Sequence, residues 1–359
     1  MDHAADYRDR LAGWYHAERR ILPWREDPKP YKVWLSEIML QQTQVATVIP
    51  YFERFLGVFP TVNELAEATE EQVLTLWSGL GYYRRARLLH KAAKVISDEF
   101  EGVFPRSASE LIKLPGIGEY TSRAIASIAF GEPVAVLDGN VARVISRWVR
   151  LNDVIDGSKG NKTLWSLAQA VIDTNDPSSH NQAMMELGAL ICAPTSPRCG
   201  RCPVSTLCQA HQHGDPESYP KKKPKKKAKA IQEVAAFAQR NDGLFLMARR
   251  PNDGLLAGMW ELPGGKLLPR KSAERSLSQA LRERLSIESK VGASRGHIHH
   301  VFTHRKLDLE VLDVELSGAP NHISFYQDCR WVHPTEVSDM PLSTLTRKVL
   351  TNLEVVHGS

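Results

Sequence analysis

The sequence predicts a two-domain protein, with an all-α domain over residues 1–213, a lysine-rich linker over 214–230 and an α+β domain over 231–359. Three observations carry this. Up to residue 213, apolar residues recur at helical spacing, without a convincing alternating strand. Seven lysines then fall between Lys221 and Lys229, broken by Pro224, a composition that reads as a solvated linker. Beyond it, strand-like runs flank turn residues. A chain of 359 residues with 42% hydrophobic content is long enough to bury two cores.

The elements follow in order. Tyr7, Leu11, Trp14 and Tyr15 space as one helix face. Pro30 opens a second helix that runs through Trp34, Ile38 and Met39 and stops by Pro50. Glu37, Gln41 and Gln44 then share a face by the i, i+4, i+7 rule. Helices cover Glu70–Trp77 and Arg84–Phe100, and Ser107 with Glu110 makes a capping-box pattern before Leu111. The run Leu114-Pro115-Gly116-Ile117-Gly118 forces a tight turn between two helical patterns. Its exposed amides, at the start of a helix carrying Ala124, Ile125, Ile128 and Ala129 inward, suit a phosphate without reading sequence. A plain αα-hairpin with a glycine cap is the alternative. Asp138 heads the next helix, with Val141, Val144, Ile145 and Trp148 on its apolar face. In the second domain Val234–Gln239 and Leu244–Arg249 flank an Asn241-Asp242-Gly243 turn. Ser276–Leu285 reads as a helix, and Val301–Leu307 with Leu309–Glu315 as a later hairpin or meander.

Four of the five cysteines fall at Cys192, Cys199, Cys202 and Cys208. A disulfide framework fits poorly in a large chain without a secretory leader. Structural zinc favours two close ligand pairs, and only Cys199 and Cys202 make one. A four-cysteine iron–sulfur cluster tolerates the uneven spacing, and Pro203 directly follows a ligand. Arg198 and Arg201 lie inside this loop, where a rigid cluster would present them to phosphates. Asp2, Asp6 and Asp9 argue against a targeting peptide, and no apolar run approaches a membrane span. The chain is therefore expected to be cytoplasmic (nucleoid-associated if bacterial) and not secreted. A net charge of +5 is compatible with nucleic acid.

Two carboxylates carry chemistry. Asp138 at a helix start is expected to be held as an anion by the dipole and amides. Glu37 sits among Trp34, Ile38 and Leu40, where burial would raise its pKa and make it a proton donor. An acid that protonates a leaving group and an anion that stabilises an oxocarbenium ion make a pair for glycosidic cleavage.

The hairpin, Asp138 and the cysteine loop, in this order, resemble the helix–hairpin–helix DNA glycosylases related to endonuclease III. The runs Leu22-Pro23-Trp24-Arg25, Glu37–Gln44 with Val45, Gly79-Leu80-Gly81-Tyr82-Tyr83, Asp138-Gly139-Asn140-Val141 and the segment 181–188 look specifically like the MutY-type adenine DNA glycosylases. The resemblance implies a monomer that excises adenine opposite 8-oxoguanine or guanine in double-stranded DNA, with one [4Fe-4S] cluster on Cys192, Cys199, Cys202 and Cys208. No catalytic magnesium, nucleotide cofactor or membrane partner is expected. By resemblance Glu37 protonates the base, Asp138 stabilises or briefly bonds to the sugar carbon, and Asn140 orients the centre. Leu22, Trp24, Arg25 and Gln182 would form the adenine pocket. Pro115, Gly116, Ile117, Gly118, Arg25, Arg198 and Arg201 would contact DNA. Gln42, Thr43, Leu80 and Tyr82 would grip the mismatch.

Lyase relatives place a nucleophilic lysine two residues after the hairpin's last glycine. Here that catalytic position is Tyr120, which cannot form an imine, so the reading is a monofunctional hydrolase. The rivals are an endonuclease III-like bifunctional enzyme, a nucleotide pyrophosphohydrolase tethered to a DNA-binding module, and a silent DNA binder.

Leu262-Pro263-Gly264-Gly265-Lys266 with the helix after it resembles a Nudix box. Where the box has R-E-x-x-E-E, this chain has Gln279-Ala280-Leu281-Arg282-Glu283-Arg284. One remaining acid should not hold catalytic magnesium, so the domain reads as a recognition module. Phe302, Thr303 and His304 look like the family's Phe-Ser-His lesion loop, with threonine for serine.

Overall fold

A computed structural model of the chain describes residues 4–224, 228–302, 304–318 and 324–355. The chain packs as two compact units, one of Met1–Glu67 with Leu88–Lys225 and one of Ala68–Arg87 with Lys226–Ser359. The segment 68–87, helical in sequence pattern, packs with the second unit. The physical reason is a set of hydrogen bonds from Ser78, Tyr83 and Arg87 into that unit.

The helices up to the linker are α1 (Ala4–Glu18), α2 (Pro23–Glu26), α3 (Pro30–Leu40), α4 (Val45–Val58), α5 (Val62–Glu67), α6 (Glu70–Trp77), α7 (Arg84–Phe100) and α8 (Ala108–Leu111). They continue as α9 (Glu119–Phe130), α10 (Gly139–Trp148), α11 (Ser158–Val171), α12 (Pro177–Leu190) and α13 (Gln209–Gln212). Pro30 is the first residue of α3, where its missing N–H has no intrahelical partner to lose.

α3 ends at Leu40, before Pro50 as expected, and the break falls at residues 41–44. Gln42 takes φ 58, Gln44 caps α4, and Pro50 lies inside α4, which forgoes one amide donor there. Glu37, Gln41 and Gln44 thus share no helix face. Ser107 is no capping box either, because its hydroxyl donates to Glu110 Oε2 at 2.7 Å instead of accepting a backbone amide.

One core of the first unit joins α1, α10, α11 and α12. Tyr7, Leu11, Ile145, Leu164 and Leu187 are buried in it, the Tyr7 ring stacks on Trp148 at 4.1 Å, and the Tyr7 hydroxyl donates to Met184 Sδ. This packing fixes α10, whose first turn carries the site.

The second unit has two sheets. The strands are β1 (Lys229–Phe237), β2 (Phe245–Arg249), β3 (Trp260–Glu261), β4 (Gly264–Lys266), β5 (Ser289–Phe302), β6 (Arg305–Leu316) and β7 (Asp328–Val332). One sheet has the order β4-β1-β6-β5 and the other β3-β2-β7. The strands flanking residues 241–243 therefore enter different sheets, and they meet at the bridge of Gln239 with Phe245. The run Val301–Leu307 is not one strand. It straddles the turn between β5 and β6, which pair antiparallel with Phe302 opposite Arg305. On β6 the alternation splits two cores. Leu307, Leu309 and Val311 face Phe245, Trp260 and Leu342, while Leu312 and Val314 face helix α14 (Ala273–Leu285). The last helix is α15 (Thr344–Asn352). Among the described residues no helix is long and apolar enough to cross a membrane.

Candidate active site

Many of the residues singled out by sequence line one cavity of about 770 Å³, among them Leu22, Trp24, Arg25, Glu37, Gln42, Thr43, Gly116, Gly118, Tyr120, Asp138, Asn140 and Gln182. Pro115, Ile117, Arg198 and Arg201 do not line it. The last two stand exposed on the cysteine loop.

Glu37 sits on α3 and is 7% exposed. The Tyr120 hydroxyl, from the first turn of α9, donates to its Oε2 at 2.6 Å and lies 3.3 Å from Met185 Sδ. Burial pushes the Glu37 carboxyl up to about 7; the Asp138 charge adds to the rise, while the Tyr120 hydrogen bond and Arg25 oppose it. Since Oε2 accepts from Tyr120, a proton on this carboxyl rides on Oε1.

Asp138 caps α10. Its Oδ1 accepts the Val141 amide at 2.7 Å and its Oδ2 accepts Asn140 Nδ2 at 2.9 Å. The expectation that these donors hold its pKa low is not met. Burial is the largest influence and raises it, against the amides of Val141 and Asn140, the Asn140 side chain and Arg143. The donors thus hold the carboxylate's direction more than its charge.

Two devices place Asp138. Buried Asn181 pins the segment before it, accepting from Val136 N at 3.1 Å and donating to Val134 O at 2.9 Å. Gly188 lets α12 touch the start of α10, for a Cβ there would stand 2.5 Å from Asn140 Cβ. Arg143 then ties the centre to the first cysteine, donating to Asn140 Oδ1, Gly188 O and Cys192 O.

Sequence reasoning passed over Glu186, which is 1% exposed at the cavity wall. Its Oε1 accepts Arg20 N and Nε at 3.0 and 2.8 Å, and its Oε2 accepts Arg20 Nη2 at 2.7 Å and Arg25 Nη2 at 3.0 Å. A charged residue on an apolar helix stretch was the available signal, since such a residue is rarely buried without partners. At the hairpin, Gly116 takes φ 76, and a Cβ would stand 2.5 Å from Leu88 Cβ. The turn therefore requires glycine.

Two family descriptions match the chain: the HhH-GPD superfamily of base excision DNA repair proteins over residues 35–170, and the NUDIX domain over 234–352. The adenine DNA glycosylase of Rattus norvegicus is 37% identical over 396 residues, covering 96% of this chain and 77% of its own. That of Homo sapiens is 35% identical over 398 residues, covering 96% and 73%. The chain belongs to the adenine DNA glycosylase family. Among solved structures, a thermostable thymine-DNA glycosylase is 28% identical, with a TM-score of 0.53 over 59% of this chain and 98% of its own. The fold class is the expected one, an all-α helix–hairpin–helix glycosylase domain followed by an α+β Nudix domain.

The cysteine loop begins where α12 ends. All four thiols are half-buried and free of disulfides. They feel one another, because Cys192 raises the pKa of Cys199, Cys202 and Cys208, after the larger effect of burial, which with these neighbours takes Cys202 to about 12. Buried Arg147 donates to Cys192 Sγ at 3.3 Å and to the carbonyls of Ala193 and Pro194. Among the described residues no three His, Cys, Asp or Glu side chains gather closely enough for a single metal ion.

In the Nudix unit, of the three helix positions set against the box's carboxylates, one is Ala280, and Glu283 and Arg284 are taken up by hydrogen bonds. Lys271 Nζ donates to Gln279 Oε1 at 2.6 Å, and Gln279 Nε2 to Glu283 Oε1 at 2.7 Å. Arg284 donates to Gly264 O and lies over Phe325. Phe302 packs against the sheet core at the end of β5, His304 is exposed at the turn, and Thr303 lies outside the described residues. Leu80 and Tyr82 belong to this unit, with Tyr82 45% exposed at φ 48.

Proposed function

We propose that this chain is a monofunctional adenine DNA glycosylase, hydrolysing the N-glycosidic bond of adenine opposite 8-oxoguanine or guanine in double-stranded DNA. The observation that carries the reading is the buried Glu37, raised to about 7, in one cavity with Asp138. Adenine is out of reach inside a duplex and enters this cavity flipped out of the stack. Leu22, Trp24 and Gln182 supply its walls. Glu37 gives its proton to a ring nitrogen of the base, and the C1′–N bond breaks with both electrons leaving on the purine. Asp138 stabilises the positive sugar carbon until water adds to it, and the water's proton leaves to a base in the site. The product is an abasic site. Tyr120 occupies the lyase position and is engaged as the donor to Glu37. The amides of the 114–118 hairpin and the cations Arg198 and Arg201 hold the phosphates. Gln42, Thr43, Leu80 and Tyr82 act at the mismatch, and Phe302, Thr303 and His304 at the oxidised guanine.

The test is a single-turnover reaction with duplexes bearing adenine opposite 8-oxoguanine, adenine opposite guanine, and a thymine glycol control. Heat and alkali should reveal breaks confined to the adenine strand, with no adduct trapped by borohydride. Thymine glycol release with a trapped adduct would instead identify a bifunctional lyase.

The four thiols suit a [4Fe-4S] cluster, which binds its cysteines on separate irons and so spaces them more widely than one ion does. The group would stiffen the loop that presents Arg198 and Arg201. Protein purified without air should hold about four irons per chain, and Cys199→Ser should lose the chromophore. Zinc without iron in the metal analysis overturns the assignment.

A further inference from the structure

The turn carrying Leu80 and Tyr82 is held by the last helix of the chain. Leu342 O is a fixed point, since its residue is buried, bridges to Trp260 and precedes Ser343, the cap of α15. Ser78 Oγ donates to this carbonyl at 2.7 Å and Tyr83 Oη donates to it at 3.0 Å. Gly79 N donates to Tyr83 Oη at 3.2 Å. Arg347, one turn into α15, closes the node by donating Nε and Nη2 to Ser78 Oγ at 3.2 and 2.8 Å. A hydroxyl that accepts two guanidinium bonds has its own proton forced elsewhere, here onto Leu342 O.

Between these anchors the backbone is strained. Gly79, Gly81 and Tyr82 take φ 106, 72 and 48, and a tyrosine in the left-handed region persists only where its surroundings over-determine it. Arg85 Nη2 donates to the carbonyls of Leu80 and Gly81, and Trp77 Nε1 to Gly81 O. Leu80 is thereby buried, while Tyr82 stands out.

We propose that Arg347 is a positioning residue for base recognition, which stiffens the Leu80–Tyr82 turn so that it can act as a wedge in the DNA stack. The argument rests on the adenine glycosylase reading for the wedge's task. A side chain that opens a base step works against unstacking, which costs a few kcal/mol per step. A wedge on a loose turn retracts under that load. The Arg347 fork onto Ser78 transmits the load into α15 and the sheet core behind Leu342. Opposite-base discrimination therefore depends on the C-terminal helix as well as on Phe302 and His304.

Two measurements test this on the full chain. Hydrogen exchange without DNA should show the amides of residues 79–83 exchanging about tenfold faster in Arg347→Ala, consistent with losing charge-assisted bonds, with α10 unchanged. Single-turnover excision opposite 8-oxoguanine should slow by about tenfold in Arg347→Ala, but not further when it is added to Tyr82→Ala. Arg347→Lys should recover part of both effects. Should Arg347→Ala fail to fold, Ser78→Ala replaces it in both arms. Unchanged exchange at 79–83 overturns the anchor. Equal slowing in the Tyr82→Ala background overturns the wedge role. A wild type that excises no adenine sinks the parent reading alone, and the exchange arm still decides whether Arg347 holds the turn.

Discussion

Glu37→Gln should lower single-turnover excision by about a thousandfold or more, within the range a lost general acid costs, while mismatched DNA still binds. Glutamine keeps the shape and still accepts from Tyr120, but has no proton to give. The pH profile tests the same point. A donor works protonated, and this carboxyl titrates at about 7. The rate should be full below that value and fall by about tenfold per pH unit above it. Asp138 acts as an anion and its pKa is also raised, so the rate falls again on the acid side. The sign for stability is opposite to that of an ordinary surface acid. A folded pKa of about 7 against an ordinary glutamate value of 4.5 means stability is fully present below 4.5 and is lost as pH rises through 7, by about 3 kcal/mol in full. Glu37→Gln should therefore unfold at a higher temperature than the parent at pH 8, with a smaller difference at pH 5. A wild-type rate that keeps climbing through pH 8 would place the proton donor elsewhere.

Much of this site was legible because it is written locally. Asp138 precedes a helix with a clear apolar face, so its capping role follows from spacing alone. Glu37 lies in an apolar run that can only be buried, and the cysteines cluster in a chain otherwise poor in them. What was not legible depends on distant partners. Gln42 looks like plain helix, and its left-handed φ comes from the turn between α3 and α4. Pro50 itself ends no helix, because a proline that follows only one turn of helix costs a single donor. The raised pKa of Asp138 could not be read from its cap, since desolvation by the surrounding helices outweighs local amides. Likewise the pairing of segment 68–87 with α15 joins residues such as Ser78 and Arg347, and no local pattern encodes it.

Glu186 shows the same limit and gives the second large effect. Glu186→Ala should destabilise the helical unit by about 3 kcal/mol, the low end for breaking a buried ion pair from one side. Arg25, whose side chain is 10% exposed, would keep its charge and lose its carboxylate. The Arg20 arm is 34% exposed, so solvent screens it and most of the loss comes from Arg25. The pairing holds Glu186 down at about 2. Its contribution is thus complete above the ordinary glutamate value of 4.5 and disappears as pH falls through 2. Thermal unfolding should show the variant about 10 °C below the parent at pH 7, with the gap narrowing toward pH 3. The chemistry should shift with it. Arg25 already lowers the Glu37 pKa, and without the Glu186 charge to offset it that pull strengthens. The alkaline limb of the excision profile should move to lower pH, so the variant loses more activity at pH 8 than at pH 6. A purely structural glutamate would lower stability without moving the limb. A limb that stays in place would therefore separate Glu186 from the proton donor, and a variant as stable as the parent would show that Arg25 finds another partner.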